Sequence, residues 1–194
     1  MLLLLVLQFF FSAAAVEPAA VPGGVPAAGA TAWTPPVGHP ELIEAARKYL
    51  GRPYSFGGRD ANLDCMGLVF LAWQDAGRGS WDRLSVNPTE IVSKRQLGVP
   101  VPGLDGALNA GVSLGRFAPG DVIFFLGYAK NPAEPAMATL DGIPTWVWHM
   151  GMYAGGGNFI VGDHYAGKVV EIPLLTYLAK HDNYVGVYVV RPTP

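Results

Sequence analysis

Apolar side chains at 42, 43, 46, 49 and 50 fall on one face of a helix, so Pro40 to Leu50 is predicted as the first helix. Pro40 suits its first turn and Gly51 its end. The next segment, GRPYSFGGRDANLD, is glycine-rich and without period, and is read as a loop. Cys65 to Ala76 (CMGLVFLAWQDA) is apolar on nearly all sides and closes at Gly77, the pattern of a centrally buried helix. Asp64 stands at its N-cap position, which puts Cys65 in the first turn.

A short helix is predicted from Pro88 to Gln96, capped by Asn87, followed by a Gly- and Pro-rich stretch without regular structure. Phe117-Ala-Pro-Gly-Asp121 then turns into the apolar strand Val122 to Leu126. Residues 127–144 hold three prolines and no period, and are read as a long loop of the kind that serves as a lid or binding segment. Strands are predicted at 145–154, 158–163, 168–172 and 184–191, with a short helix at 174–180. Helices first and antiparallel strands after them give an α+β class.

The N-terminus has a different pattern. Leu2 to Phe11 has the length of a signal-peptide core, and Ser12 to Ala15 supplies small residues for cleavage, although no Lys or Arg precedes the core. A membrane span takes roughly 17–25 apolar residues, more than this run has. Residues 1–16 are therefore expected to be a cleaved signal, with no stable membrane span and an exported, periplasmic or extracellular product. Residues 17–38 are Ala-, Pro- and Gly-rich with almost no charge, a flexible spacer. The folded domain is expected over 39–194.

The 194 residues carry 13 Lys and Arg against 15 Asp and Glu, for a net charge of −2, which excludes the basic footprint of a nucleic-acid binder. There is one cysteine, so no internal disulfide can form. A lone Cys in an exported chain is either a small buried apolar side chain or a functional thiol. Its position decides what it can do. At the first turn of a buried helix, a thiolate gains from the helix dipole, and the unpaired backbone N–H groups of that turn can receive an oxyanion.

In TWVWHMGMYA, alternation puts Trp146, Trp148, Met150 and Met152 on one strand face, the bulky core face, and Val147, His149, Gly151 and Tyr153 on the other. His149 then lies beside a glycine that leaves space. It is either a histidine satisfied on a partly exposed sheet face or the base that takes the proton of Cys65 and returns it to a leaving amine. No His pair has metal-ligand spacing, and the glycines at 155–157 make a hairpin turn without the helix a phosphate cradle requires, so no metal or cofactor is expected. His39 and His181 are read as solvated.

These residues resemble a known family. PYSFGGRDANLDCMGLVFLAW is similar to the nucleophile segment of NlpC/P60 proteins, in which Pro-Tyr and Gly-Gly precede Asp-Cys-x-Gly-Leu-Val. FAPGDVIFF resembles the family's Pro-Gly-Asp strand, and HMGMYAGGGNFI its His-x-Gly-x-Tyr hairpin. The resemblance covers most of residues 40–172, in the family's order. It implies a papain-like α+β fold with a central buried helix on an antiparallel sheet, and a Cys-His-polar triad. It also implies cleavage of peptidoglycan stem peptides, commonly between D-glutamyl and the diamino acid.

By position, Cys65 is then the nucleophile and His149 the base. Tyr54 would bring its hydroxyl to the oxyanion or substrate groove. Asp64 would meet the substrate's amine end, or serve only as helix cap. Two positions depart from the family: Met66 stands where a Ser is usual, and Val161 stands where the third triad member is usual. Asp163, on the same strand face as Val161, and His164, if Gly162 makes a bulge, are the candidates to replace it. The expected partner is a stem peptide, and the expected state a monomer. Alternatives on the same fold are a CHAP-like amidase or an acyltransferase, and of another class, an inactive wall-binding module.

Overall fold

The apolar run Val122–Leu126 is buried at every position because it lies in the middle of a sheet with both faces covered. The computed structural model describes residues 36–193, so the expected signal segment and nearly all of the expected spacer lie outside the described residues. The helices are α1 (Pro40–Arg47), α2 (Cys65–Asp75), α3 (Pro88–Ser93) and α4 (Leu174–Lys180). The strands are β1 (Val99–Leu108), β2 (Val122–Gly127), β3 (Ala138–Leu140), β4 (Ile143–Gly155), β5 (Asn158–Asp163), β6 (Lys168–Pro173) and β7 (Gly186–Arg191). They form one antiparallel sheet in the order β1-β7-β2-β4-β5-β6, with β3 paired to β4. The class is α+β.

Two apolar layers follow from the strand period. Val122, Phe124, Leu126, Met150, Met152 and Ile160 face Leu42 and Ile43 of α1 and Leu68, Val69 and Ala72 of α2. Ile123, Phe125, Phe159, Val161, Val187 and Val189 face the other way, toward Leu174, Tyr177 and Leu178 of α4. Each fully buried Phe or Leu contributes roughly 1.5–3 kcal/mol relative to exposure. Because α2 lies against β4 and β5, its N-terminal end is held by the sheet.

The structure corrects three local readings. The Gly- and Pro-rich stretch contains β1, whose prolines Pro100 and Pro102 and irregular register against β7 hide its alternation; a proline is tolerated there because the strand is an edge. The predicted loop 127–144 contains β3. On β4, Leu126 pairs with Val147 and Phe125 with His149, so Trp148 is an extra, bulged residue. The bulge returns Val147 to the α1–α2 layer and leaves Trp148 exposed rather than in the core. Met150 and Met152 remain on the core face.

Asp121 fastens the sheet's far end. Its fully buried carboxylate accepts from Arg191 Nε at 2.8 Å and Nη2 at 2.7 Å, and from the Ala118 N–H at 2.9 Å. Burial pushes its pKa up, against the pull of Arg191. Replacing Arg191 with Ala leaves that carboxylate unpaired, and urea unfolding should show a loss of about 3–5 kcal/mol. Asp121→Asn, which removes the charge, should be milder.

Candidate active site

The amino end of α2 is seated in a gap of the sheet. The β4–β5 ladder pairs Gly155 with Asn158, Tyr153 with Phe159 and Met152 with Ile160, and goes no further. Where it stops, Gly162 faces the helix: a Cβ built on it would lie 2.9 Å from Asp64 O and 3.2 Å from Cys65 N. One turn into the helix, a Cβ on Gly67 would lie 2.1 Å from Gly58 O. Two glycines thus let sheet and loop touch the helix backbone directly. Asp64 is the N-cap, with Oδ1 accepting from Gly67 N at 2.7 Å. Its Oδ2 accepts from Gly57 N at 2.9 Å, and Arg59 Nη1 donates to Oδ1.

This seating holds Cys65 partly exposed at the rim of a cleft of about 480 Å³. Burial, and then the charge of Asp64, push its thiol up to about 12; N–H groups of Met150 and Met66 and the charge of Arg59 pull the other way without winning. At neutral pH the resting sulfur is a thiol.

His149 lines the same cleft, 6% exposed. Its ring stacks with Tyr184 (centroids 6.0 Å, planes 2° apart) and with Tyr177 (6.2 Å, 24°), and Phe125 lies 5.9 Å away. Its Nε2 is buried with no hydrogen-bond partner. Burial first, then the nearby His164 and His181, lower its pKa to about 4. No hydrogen bond joins it to Cys65 among the described residues. A thiol and a neutral imidazole therefore share the cleft, one able to give a proton and the other to take it.

Tyr54 does not line this cleft, yet Cys65, Asp64 and Asp163, after burial, raise its phenol to about 12, so it stays a neutral donor near the sulfur. Asp163 is buried at the end of β5, and its Oδ1 accepts from Tyr165 N at 2.9 Å. His164 is exposed, its ring 3.8 Å from Tyr165 and 6.2 Å from Tyr54. Neither Asp163 nor His164 is hydrogen-bonded to His149. Val161 lies in the apolar layer with Phe125.

The two histidines read as solvated are half-buried and in contact: His39 Nε2 donates to Pro192 O at 2.7 Å, and the His181 ring lies 4.2 Å from that of Tyr177 and 4.6 Å from that of Tyr165. Sequence reasoning missed Arg59, Glu134 and Trp148 as cleft residues, and Tyr177 and Tyr184 as neighbours of the imidazole. Only Arg59 had a visible signal, its place in the glycine loop. Among the described residues no cluster of His, Cys, Asp or Glu is arranged to hold a metal, and no helix is long and apolar enough to cross a membrane.

No family model matches the chain. It is 29% identical over 124 residues to a γ-DL-glutamyl hydrolase of Bacillus subtilis, covering 61% of this chain and 22% of that one. It is 27% identical over 146 residues to YafL of Escherichia coli, a probable endopeptidase, covering 74% and 47%. The chain thus spans less than half the length of either curated relative. A solved NlpC/P60 family protein of Bacillus cereus is similar at a TM-score of 0.48 and 23% identity, covering 82% of this chain and 42% of that one.

Gly162→Ala should push the helix end away from β5. Denaturant unfolding should show a loss of about 1–3 kcal/mol, and iodoacetamide labelling of Cys65 should change rate. The lowered pKa of His149 also has a sign. The unfolded chain takes up a proton near the ordinary 6.5 that the fold accepts only near 4, so stability falls as pH falls through that window. His149→Phe keeps a stacked ring without the titration, and its stability should be flatter between pH 6.5 and 4 in urea unfolding.

Proposed function

We propose that this chain is an exported cysteine endopeptidase that hydrolyses peptidoglycan stem peptides at the bond between D-glutamyl and the diamino acid. The observation that carries this reading is the cleft shared by Cys65, at the amino end of a buried helix, and an unpartnered imidazole, His149. The name of one curated relative, a γ-DL-glutamyl hydrolase, supports a glutamyl bond, and that of the other, a probable endopeptidase, supports hydrolysis within a peptide.

In the mechanism, the His149 imidazole takes the thiol proton as Cys65 Sγ bonds the scissile carbonyl carbon. The developing oxyanion is received by the unpaired N–H groups at the start of α2, with the neutral hydroxyl of Tyr54 near the sulfur. The imidazolium then protonates the leaving amine, and the C–N bond breaks to give a thioester. Water, losing its proton to His149, attacks that thioester and restores the thiol with release of a carboxylic acid.

Because the resting pair is neutral, the thiolate forms only during attack. That is general-base catalysis rather than a standing ion pair. Burial, which lowers the basicity of His149, keeps it unprotonated to well below neutral pH. Stacking on Tyr177 and Tyr184 holds the ring where a polar third member is missing at Val161, with Asp163 and His164 as polar neighbours beyond it.

Digestion of isolated sacculi tests the reading. Wild type should release fragments whose masses show a cut γ-D-glutamyl bond, Cys65→Ala none, and His149→Ala roughly 10²–10⁴-fold fewer. Fragments with that bond intact beside a cut N-acetylmuramoyl amide would favour an amidase instead. Equal release by wild type and Cys65→Ala would end the cysteine mechanism.

A further inference from the structure

Three charged side chains line the cleft: Arg59, Asp64 and Glu134. Two of them neutralise each other. Arg59 Nη1 bonds the Asp64 carboxylate and also donates to Gly58 O at 2.8 Å. The Asp64 oxygens take up the N–H groups of Gly57 and Gly67 as well. Both charges are committed to holding the helix end and its loop together.

Glu134 is placed differently. It arrives from the segment between β2 and β3, and every group that holds it is neutral. Asn131 Nδ2 donates to Oε1 at 2.8 Å, Thr89 Oγ1 to Oε2 at 3.2 Å, and Trp146 Nε1 to its carbonyl at 3.2 Å. Among the described residues no Lys, Arg or His is ion-paired with it. It is half-buried, where a carboxylate without a counter-charge is poorly solvated and a cation is attracted more strongly than in water. A carboxylate has about four acceptor positions, and Asn131 and Thr89 together do not fill them.

Around it the cleft is apolar, with Met66, Val86 and Val147, and it presents the indole of Trp148, 46% exposed and pinned through Nε1 to Ala129 O at 2.8 Å. An aromatic ring and a carboxylate lining one cleft suit an ammonium group.

We propose that Glu134, rather than Asp64, is the carboxylate that receives a protonated amine of the substrate, which makes the segment between β2 and β3 the specificity-determining part of the cleft. This rests on the reading that the cleft is the substrate groove. Asp64 keeps the helix in place, and Met66 adds no hydrogen-bonding group, which leaves Glu134 to read the cation.

The sulfur of Cys65 reports on this without turnover. Its modification rates by cationic aminoethyl and anionic sulfonatoethyl methanethiosulfonate are compared in wild type and in Glu134→Gln, which keeps the side chain's size. The cation-to-anion ratio should fall about tenfold in the variant, as expected for loss of one nearby charge. An unchanged ratio, or both rates shifting by the same factor, overturns the proposal. Without any variant, the wild-type ratio should decline as salt is raised, and a salt-independent ratio overturns it too.

With peptides, Glu134→Gln should raise KM about tenfold for a free-amine stem and leave its N-acetylated form unaffected; equal effects on both overturn it. The thiol readout stands whether or not the chain cleaves murein, so failure here and failure of the peptidase reading are separable.

Discussion

The architecture depends on one contact, the backbone of Asp64 and Cys65 against Gly162 where β4 and β5 part. A helix end inserted in a sheet leaves polar groups that must be satisfied. Asp64 supplies that through Gly67 and Gly57, and Arg59 balances the charge that the cap brings into the interior. With the helix end fixed in this way, the sulfur has little freedom except rotation about its own side chain, and the strand that carries His149 is the wall it faces. The buried apolar body of α2 supplies the stiffness, and the two glycines supply the closeness.

The same burial determines the electrostatics. A sulfur pushed up to about 12 and an imidazole pushed down to about 4 are both in their uncharged forms at neutral pH. An ion pair at rest would have to overcome desolvation of both partners, and only a weak set of backbone N–H groups offers compensation. Stacked tyrosines hold the ring without adding charge. On the proposed mechanism the site is poised by geometry, and the substrate completes the polar environment that the protein leaves incomplete.

The wall of the cleft that carries Glu134 depends on a local irregularity. The bulge at Trp148 turns one indole out of the core and into the cleft, and the ring's N–H ties down the chain after β2. Trp146, two residues earlier, ties down the same chain at Glu134. A strand of strict alternation would bury both indoles and leave that segment unanchored.

The sequence by itself determined a great deal. The period of α1 and α2, the apolar run of β2, and β5 and α4 to the residue are as read, because each is a local pattern of burial that needs no partner to be recognised. The positions of Cys65 and Asp64 at a helix start followed from capping chemistry. Tertiary structure alone decided the rest. β1 forms despite its prolines because β7 offers a ladder, and the face of Trp148 is set by a register shift against β2, which no alternation rule contains. Arg59 neutralises Asp64, Tyr177 and Tyr184 hold the imidazole, and Glu134 comes to the cleft across contacts between segments far apart in the chain. Burial and pairing across such distances set charge state and orientation, and those are properties of a packed interior rather than of any stretch of residues.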